Sequence, residues 1–374
     1  MSANAGPYSY VSFYFAAHPD DWQLFMGDKV CNDMSAISDK KVVILHITSG
    51  DATYDGVNLN IAYYQSREKG AQNSIEFCGD MQTNHDVGKY DKKNIAGHLI
   101  RRYTYKNTVA YFFRLPDGCF KTGFNNESIQ YLNENKISKI RAVDSSATYL
   151  GWDDLVNTVK TVILEESASI PEVWVNTNDP ENSFNPGDHP DHVYSGLLAK
   201  EAVAELDYIN RNGFQGYNIS NLPENLTTQD IILKTGAFAS ADFGLTQSNT
   251  SSNFEKGHWS FIPRTYYRTY ISKADSFMNH VATISSGGVT GNYCVIYPVP
   301  AADVININYY MLAHGRTIIK LLDASGAILK TYVDDVENQG AYTRVENVNS
   351  LHPGVYFLSI TTSLYSNNLK FIKE

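Results

Sequence analysis

The sequence predicts an α/β domain with a mostly parallel sheet covered by helices, followed by a small all-β sandwich domain. The first observation is an alternation of strand-like and helix-like segments that continues to about residue 272. Such β-α-β alternation is typical of a parallel sheet. The second observation is a change near residue 291, after which short β-rich runs are separated by turn residues, as in an antiparallel sandwich. We therefore expect domains at 8–272 and 291–374, joined by a linker at 273–290.

Seven segments account for the first domain in chain order. "YVSFYFAA" and "KKVVILHITSG" are predicted strands, and residues 61–78 are a predicted helix because apolar residues recur at helical spacing. "AYFFRLPDG" is the next predicted strand, and "LVNTVKTVILEES" is the next helix. The strand "EVWVNTND" and the helix "HVYSGLLAKEAVAEL" complete the series. In such folds, ligands bind beyond the carboxyl ends of the strands.

The second domain is predicted from four β-rich runs. These are "NYCVIYPVPAADVININYY", "RTIIKLLDASGAILKTYV", "AYTRVEN" and "GVYFLSITT". The stretch before them, "SKADSFMNHVATISSGG", is rich in small and polar residues, which favours a linker.

Length, charge and cysteine spacing exclude several classes of protein. A chain of 374 residues is long for one core, which favours two domains. The net charge of −10 argues against a nucleic-acid partner and against an anionic membrane surface, and no apolar run is long enough to span a bilayer. The four cysteines show no CxxC and no zinc-ligand spacing, so we expect buried free thiols at Cys31, Cys78, Cys119 and Cys294.

Two polar clusters stand where a predicted strand gives way to a helix. The first is "HPDD" at 18–21, and the second is "HPDH" at 189–192. Either cluster alone is compatible with a polar strand end or with helix-capping aspartates. The carboxyl ends of parallel strands meet at one edge of a sheet, so both clusters are expected at that edge. Their matching positions favour a functional site.

The residue types of these clusters suit a catalytic zinc ion. Such an ion takes three protein ligands and keeps one position for water. His18, Asp21 and His192 offer two imidazoles and one carboxylate. Asp20 could then take a proton from the water, and His189 could stabilise the oxyanion and protonate the leaving amine.

The pair "AAHPDD" and "HPDH" resembles the PIG-L/LmbE-like zinc-dependent N-deacetylases, and the resemblance covers roughly residues 8–272. It implies a Rossmann-like α/β fold and hydrolysis of N-acetyl groups on glucosamine-containing glycolipids, pseudo-disaccharides and related sugars. Motif by motif, it implies that His18, Asp21 and His192 are the ligands of one Zn²⁺. It also implies that Asp20 is the general base and that His189 stabilises the oxyanion and donates a proton.

Further candidates surround this set. Asp191 could hold an imidazole in one tautomer. The resemblance implies substrate contacts for Arg67 and for Asp117 of "RLPDG", although a surface salt bridge or a turn cap would suit them equally. Trp22 stands where the family usually has Glu, and it could stack on a sugar or pack against a neighbouring helix. Gly70 also replaces a family Glu.

The C-terminal region resembles the sorting domain of the type IX secretion system of Bacteroidetes. "YPVPAADVININYY", "DASG", "LHPGVYFL" and the basic end "LKFIKE" match in order, while Val299 stands where the family usually has Asn. This implies a secreted or surface-attached protein that the type IX machinery recognises. The start "MSANAGPYSY" has no signal-peptide pattern, which would suit a cytosolic start or a removed signal peptide equally. Because the resemblance to a sorting domain implies export, we expect that a signal peptide has been removed. A carbohydrate-binding sandwich or a plain accessory domain is the alternative.

Together these features predict an exported zinc-dependent hydrolase that removes an N-acetyl group from an amino sugar or an amino-sugar conjugate. Its expected partners are that substrate and the secretion machinery, and its expected cofactor is one Zn²⁺ ion. The alternatives are a zinc hydrolase of another acyl amide, a non-catalytic carbohydrate-binding protein on the same fold, and a surface-attached structural protein.

Overall fold

The fold is that of a computed structural model of the chain. It describes residues 8–51, 62–119, 126–168, 170, 172–206, 209–254, 256–270, 294–297, 300–311, 314–338, 340–362 and 366–374. The chain divides into two compact units, whose described parts are 8–270 and 294–374. Each unit is described by itself.

A mostly parallel sheet forms the centre of the N-terminal unit. The strands are β1 (Tyr10–Ala16), β2 (Lys40–Thr48), β3 (Lys89–Ile95), β4 (His98–Tyr105), β5 (Thr108–Leu115), β6 (Ile140–Arg141), β7 (Thr148–Tyr149), β8 (Glu172–Asn178), β9 (Ile209–Phe214) and β10 (Tyr267–Tyr270). β6 pairs only with β7, and the others form one sheet in the order β10-β9-β8-β1-β2-β5-β4-β3. The strands from β9 to β5 run parallel, and antiparallel strands flank them at both edges.

Helices cover both faces of this sheet. They are α1 (Asp21–Phe25), α2 (Gly27–Ser35), α3 (Tyr63–Asp80), α4 (Ile129–Asn133), α5 (Trp152–Glu166), α6 (Pro190–Ala202) and α7 (Thr228–Thr246). Because side chains alternate along a strand, β1 serves two cores. Phe13 and Phe15 pack with apolar residues of α5 and α6. Tyr14 packs with those of α1, α2, α3 and α7 on the other face.

The order of the strands reverses next to β1. The chain runs from β1 to β2 and β5 on one side, and it returns through β8 and β9 on the other side. In open α/β sheets, the crevice beyond the carboxyl ends at such a reversal is where ligands bind. The fold places His18 after β1, Asp117 after β5 and His189 after β8 at this edge.

The C-terminal unit consists of antiparallel strands. They are β11 (Cys294–Tyr297), β12 (Val304–Met311), β13 (Gly315–Leu322), β14 (Ile328–Glu337), β15 (Gly340–Asn347), β16 (Gly354–Thr361) and β17 (Ser366–Lys373). They form a three-stranded sheet, β11-β12-β15, and a four-stranded sheet, β14-β13-β16-β17. Alternate apolar residues are buried in both sheets, such as Ile305 and Ile307 in β12 and Leu358 and Ile360 in β16. This pattern gives each sheet one apolar face.

The predicted fold class is confirmed, since a mostly parallel sheet flanked by helices precedes an all-β domain. The β3–β4 hairpin and the helix α7 were not predicted. The linker at 273–290 and Val299 lie outside the described residues, and the domain boundaries stay a prediction. Within the described part of the chain, every helix is too short or too polar to cross a bilayer.

The expectation of four free thiols is wrong for two of the cysteines. Cys31 of α2 and Cys78 of α3 form a disulfide, whereas Cys119 and Cys294 are free. The bonded residues are 47 positions apart in the chain, and they meet because α2 and α3 pack into the same core. Chain spacing does not reveal a pairing of this kind, since tertiary packing decides it.

Two glycines bring α3 and α7 into close contact. A Cβ atom at Gly70 would lie 2.5 Å from the carbonyl oxygen of Ala241. A Cβ atom at Gly244 would lie 2.6 Å from the Cα of Gly70. Both distances are shorter than carbon and oxygen atoms tolerate, so a side chain at residue 70 would have to displace α7. A side chain as large as glutamate therefore has no space at residue 70.

We expect Gly70→Ala to lower the free energy of unfolding by about 1–2 kcal/mol. Overpacking at the helix crossing costs more than the roughly 1 kcal/mol that alanine gains over glycine in helix propensity. Urea unfolding followed by circular dichroism measures this difference. Lys69→Ala, at an exposed position of the same helix, is the control. A Gly70→Ala protein at least as stable as the parent would contradict the close packing.

The disulfide predicts that two thiols react in the unreduced, denatured protein. Cys119 and Cys294 should be labelled, and Cys31 and Cys78 should become reactive only after reduction. Reduction should lower the free energy of unfolding by about 2–4 kcal/mol, because the unfolded chain regains the freedom of the closed loop. Thiol counting by mass spectrometry and urea unfolding with and without reductant measure both effects. Four reactive thiols before reduction would show that the bond is absent.

Candidate active site

The first polar cluster follows the end of β1. The backbone N–H of His18 donates to Oδ2 of Asp21 at 2.5 Å, and α1 begins at Asp21. The aspartates thus occupy the start of a helix, where its dipole favours carboxylates. However, the residues His18 and Asp21 are only 4% and 1% exposed. A cap that served the helix alone would not need this burial.

The second polar cluster begins α6. His189 is the N-cap residue, and its Nδ1 accepts a hydrogen bond from the backbone N–H of Asp191 at 3.1 Å. Because Nδ1 accepts, the single ring proton of the neutral imidazole is at Nε2. His192 lies in the first turn of α6 and is fully buried.

The ligand atoms of His18, Asp21 and His192 lie within 4.8 Å of one another, close enough to hold one metal ion. Oδ1 of Asp21 lies 3.4 Å from Nδ1 of His18 and 3.2 Å from Nε2 of His192. Ligands about 2.0 Å from a tetrahedral ion are about 3.3 Å apart. Among the described residues, Nε2 of His192 has no hydrogen-bond partner, although it is buried. An unsatisfied buried nitrogen beside a carboxylate fits a metal ligand.

A carboxylate that the sequence analysis missed holds His192. Oδ1 of Asp188 lies 2.8 Å from Nδ1 of His192. The Asp188 carboxylate also accepts from Nδ2 of Asn185 at 2.7 Å and from the backbone N–H of Tyr217 at 3.2 Å. With Nδ1–H donated to Asp188, Nε2 of His192 keeps its lone pair for a cation. Asp188 directly precedes the HPDH motif, and its position one turn before His192 was the available signal.

The other ring nitrogen of His18 faces two carboxylates. Its Nε2 lies 3.3 Å from Oδ2 of Asp191 and 3.4 Å from Oδ2 of Asp117. Asp191 also accepts from the backbone N–H of Gly118 at 2.8 Å. Asp191 is therefore positioned to orient the imidazole of His18.

Asp20 is held on both carboxylate oxygens. The guanidinium of Arg67 pairs with Oδ1, and Nδ2 of Asn253 donates to Oδ2 at 2.9 Å. Arg67 also donates to the backbone carbonyl of Gly50 at 2.7 Å. Asn253 was not predicted, because no motif links the loop after α7 to the first cluster. Its backbone N–H donates to Oδ1 of Asp242, at 2.6 Å, which ties this loop to α7.

Burial and neighbouring charges shift the pKa values of the histidines in opposite directions. Burial disfavours a charge on His192, but Asp188 and Asp21 outweigh it and raise the pKa of His192 to about 10. Burial also disfavours a charge on Asp21, yet His192 and His18 hold its pKa well below the usual value. Burial, assisted by the charge of His18, lowers the pKa of His189 to about 3. The surroundings of His192 therefore favour positive charge at its ring, whereas those of His189 favour a neutral ring.

A cavity of about 270 Å³ opens over these residues. Its walls combine the site residues with the carboxylate of Asp117 and with aromatic and basic side chains, which include Tyr63, Arg67, Tyr217, Lys256 and His258. Arg67 and Asp117 are among the residues that line the cavity, and their contacts with a substrate stay a prediction. Trp22 is 0% exposed within the core against α2, α3 and α7, so it offers no face to a sugar. The packing alternative is the one that the structure shows for Trp22.

The C-terminal domain matches a known family. Residues 295–374 match the model of the secretion system C-terminal sorting domain. The resemblance found in this region of the sequence is thereby confirmed, and such a domain indicates secretion or attachment at the cell surface. A comparison with curated proteins finds no matching sequence.

Solved structures similar to this chain include deacetylases and a hydratase. N,N'-diacetylchitobiose deacetylase from Pyrococcus horikoshii is 15% identical, with a TM-score of 0.37 over 68% of this chain and 75% of that chain. A deacetylase from the teicoplanin biosynthesis pathway is 13% identical, with a TM-score of 0.37, and the match covers 66% of this chain and 89% of that chain. The 4-carboxy-2-hydroxymuconate hydratase from Pseudomonas putida is 11% identical, with a TM-score of 0.34, and the match covers 68% of this chain and 82% of that chain. Function therefore has to be argued from the site itself.

We expect Asp188→Asn to weaken Zn²⁺ binding by about 10- to 100-fold. The amide keeps the size of the side chain but removes the charge that orients His192. Competition with a chromophoric chelator measures the affinity. Asp154→Asn is the control, since that carboxylate bonds His98 and the backbone N–H of Leu150 instead. Equal zinc affinity in the parent and in Asp188→Asn would show that Asp188 does not support zinc binding.

Proposed function

We propose that this protein is an exported metal-dependent hydrolase that removes an N-acetyl group from an amino sugar or an amino-sugar conjugate. The observation that carries the proposal is the group of His18, Asp21 and His192, whose ligand atoms lie within 4.8 Å of one another, beside a carboxylate that both Arg67 and Asn253 hold. A metal set next to an oriented base is an arrangement that can hydrolyse an amide.

His18, Asp21 and His192 would hold the ion. Two imidazoles and one carboxylate suit Zn²⁺, and a three-residue set leaves a coordination position open. When bound there, zinc polarises a carbonyl oxygen and makes a water molecule more acidic. The buried, unsatisfied Nε2 of His192 supports this assignment.

Asp20 is the proposed general base. Arg67 and Asn253 each bond one of its oxygens, so the carboxylate is held in one orientation at the cavity wall. Each carboxylate oxygen has a second lone pair with which it can accept a proton from water. The resulting hydroxide attacks the acetyl carbonyl carbon, and the proton stays on Asp20 until the amine leaves.

His189 is the proposed stabiliser of the oxyanion. Its Nδ1 already accepts from the backbone of Asp191, so the proton that it can donate is at Nε2. A fixed donor of this kind lowers the barrier because it needs no reorientation as charge develops. On collapse of the tetrahedral intermediate, the C–N bond breaks, Asp20 returns its proton to the amine, and acetate is released. The sequence predicted that His189 would protonate the amine; we assign this step to Asp20 instead, because the neutral ring of His189 has only its Nε2 proton and uses it in the hydrogen bond to the oxyanion.

The cavity supports recognition of a sugar. A volume of about 270 Å³ is at the small end of ligand sites, which favours binding of one acetylated residue rather than of a whole conjugate. Asp117 offers acceptor oxygens to hydroxyl groups, and the rings of Tyr63 and Tyr217 line the same cavity. We assign Asp117 and Arg67 to substrate binding.

The C-terminal domain supports export. A chain that carries a secretion sorting domain at residues 295–374 meets its substrate outside the cytoplasm. We therefore propose the type IX machinery as its partner and the cell surface or the medium as its location.

Release of a primary amine from N-acetylated mono-, di- and oligosaccharides tests the activity. The zinc-loaded enzyme should release amine and acetate in equal amounts, and a chelator should abolish the reaction. Asp20→Ala should lower kcat by about 10²- to 10⁴-fold at unchanged zinc content, because only the base is lost. Asp154→Ala is the matched control at a carboxylate bonded to His98. Near-normal turnover by Asp20→Ala would rule out this base.

The same panel separates the alternative functions. Activity on acyl amides without a sugar, and none on N-acetylhexosamines, would replace the proposed substrate by another acyl amide. Sugar binding without amine release from any substrate would favour a carbohydrate-binding protein on this fold.

A further inference from the structure

Two polar residues of the cavity wall have no part in the chemistry proposed above. Lys256 and His258 line the cavity, and they belong to residues 256–261 between α7 and β10, which we call the wall segment. The wall segment contains a short 3₁₀ helix, His258–Phe261. No motif in the sequence pointed to it. Side chains that line a ligand cavity are candidates for contact with the substrate.

Helix α7 holds the chain on both sides of this segment. Before it, the carboxylate of Asp242 accepts a hydrogen bond from the backbone N–H of Asn253 at 2.6 Å. At its end, the ammonium group of Lys234, which is 0% exposed, donates to the backbone carbonyls of Phe261 at 3.3 Å and of Arg264 at 2.5 Å. The wall segment is thus positioned before a ligand binds, which lowers the entropic cost of recognition.

One ring nitrogen of His258 is fixed, and the other is free to meet a ligand. Nδ1 lies 3.1 Å from the carbonyl oxygen of Asn253, which can only accept, so Nδ1 carries the ring proton. The rings of Phe238 and Phe261 are neighbours of this imidazole, with centres 6.4 and 6.1 Å away. Among the described residues, Nε2 has no hydrogen-bond partner. In the neutral ring, Nε2 is therefore an acceptor without a donor.

Lys256 offers the opposite polarity on the same wall. Its side chain is exposed, and in the ranges that the structure describes no carboxylate pairs with its ammonium group. Ammonium donors beside an imidazole acceptor match hydroxyl groups, which both donate and accept. An anionic group would suit Lys256, but it would face the lone pair of Nε2 of His258 and the carboxylates of Asp20 and Asp117 in the same cavity. Neutral hydroxyl groups are the better match.

We propose that His258 and Lys256 determine specificity by binding hydroxyl groups of the sugar ring, His258 through Nε2 and Lys256 through its ammonium group. This inference rests on the proposed function, whose substrate it narrows. The sugar must carry a free hydroxyl group at the ring position that meets His258. A sugar that lacks this hydroxyl leaves Nε2 unpaired, and a sugar with a substituent there meets a wall that α7 holds in place.

Deoxy sugars test the inference through amine release by the zinc-loaded full chain. The substrates are N-acetylglucosamine and its 3-deoxy, 4-deoxy and 6-deoxy analogues. In the parent enzyme, kcat/KM should fall by about 10- to 100-fold for one analogue, because that analogue leaves Nε2 of His258 without a donor. The loss should appear mainly in KM, since a hydroxyl contact is present in the ground state as well as in the transition state.

Variants of His258 identify the contact. His258→Asn keeps an amide near the position of Nδ1 and has no atom at Nε2. It should lose about 10- to 100-fold in kcat/KM on N-acetylglucosamine and lose nothing further on the sensitive analogue. His258→Gln, which returns an acceptor near the position of Nε2, should regain the preference for the complete sugar. Ser260→Ala, in the wall segment but outside the cavity lining, should match the parent on every sugar.

Lys256→Met tests the second contact. It should raise KM for N-acetylglucosamine by about 3- to 10-fold at unchanged kcat, since the methionine keeps the length of the side chain and loses its donors. An unchanged KM would refute the part of Lys256.

The possible outcomes separate this inference from the proposed function. Equal kcat/KM of the parent enzyme for all four sugars would overturn the hydroxyl contacts and leave the hydrolase intact. The same holds if a folded His258→Asn protein, with unchanged zinc content, still discriminates against the sensitive analogue as strongly as the parent does. If His258→Asn fails to fold, the parent profile and His258→Gln decide the question. Release of no amine from any N-acetylated sugar would overturn the proposed function and this inference with it.

Discussion

The carboxylate of Asp21 is the interaction on which the whole site depends. It lies between Nδ1 of His18 and Nε2 of His192, and so it joins two segments that are 171 positions apart in the chain. No local structure could bring them together. The reversal of strand order beside β1 does so, because the loops after β1 and β8 open at the same edge of the sheet. Sheet topology thus creates the site, and the burial of this carboxylate makes its two contacts strong.

Much of this arrangement could be predicted from the residues. Buried parallel strands leave a nearly continuous apolar pattern, so β1, β2, β5 and β8 were recognisable. The HPDD and HPDH segments each stood where an expected strand gives way to a helix. The convergence of His18, Asp21 and His192 followed from that topology. For the same reason the region after residue 291 could be predicted as all-β, since its short alternating runs are visible without tertiary information.

What could not be predicted depends on contacts between elements. Asp188 and Asn253 support the site through hydrogen bonds to His192 and Asp20, and neither belongs to a recognisable motif. The disulfide depends on how α2 packs against α3. Trp22 is adjacent in sequence to the site but turns into the core, because α1 starts there and directs it away from the cavity.

The glycine contact between α3 and α7 has a consequence for the range of molecules that the cavity admits. α7 holds the following loop through Asp242, and that loop presents Asn253 to Asp20 and brings Lys256 and His258 to the cavity wall. Any shift of α7 at Gly70 would therefore be transmitted to the mouth of the cavity. A bulkier residue at this crossing would seat the helix differently. The shape of the cavity can thus change through interior packing, without the exchange of a single residue that lines it.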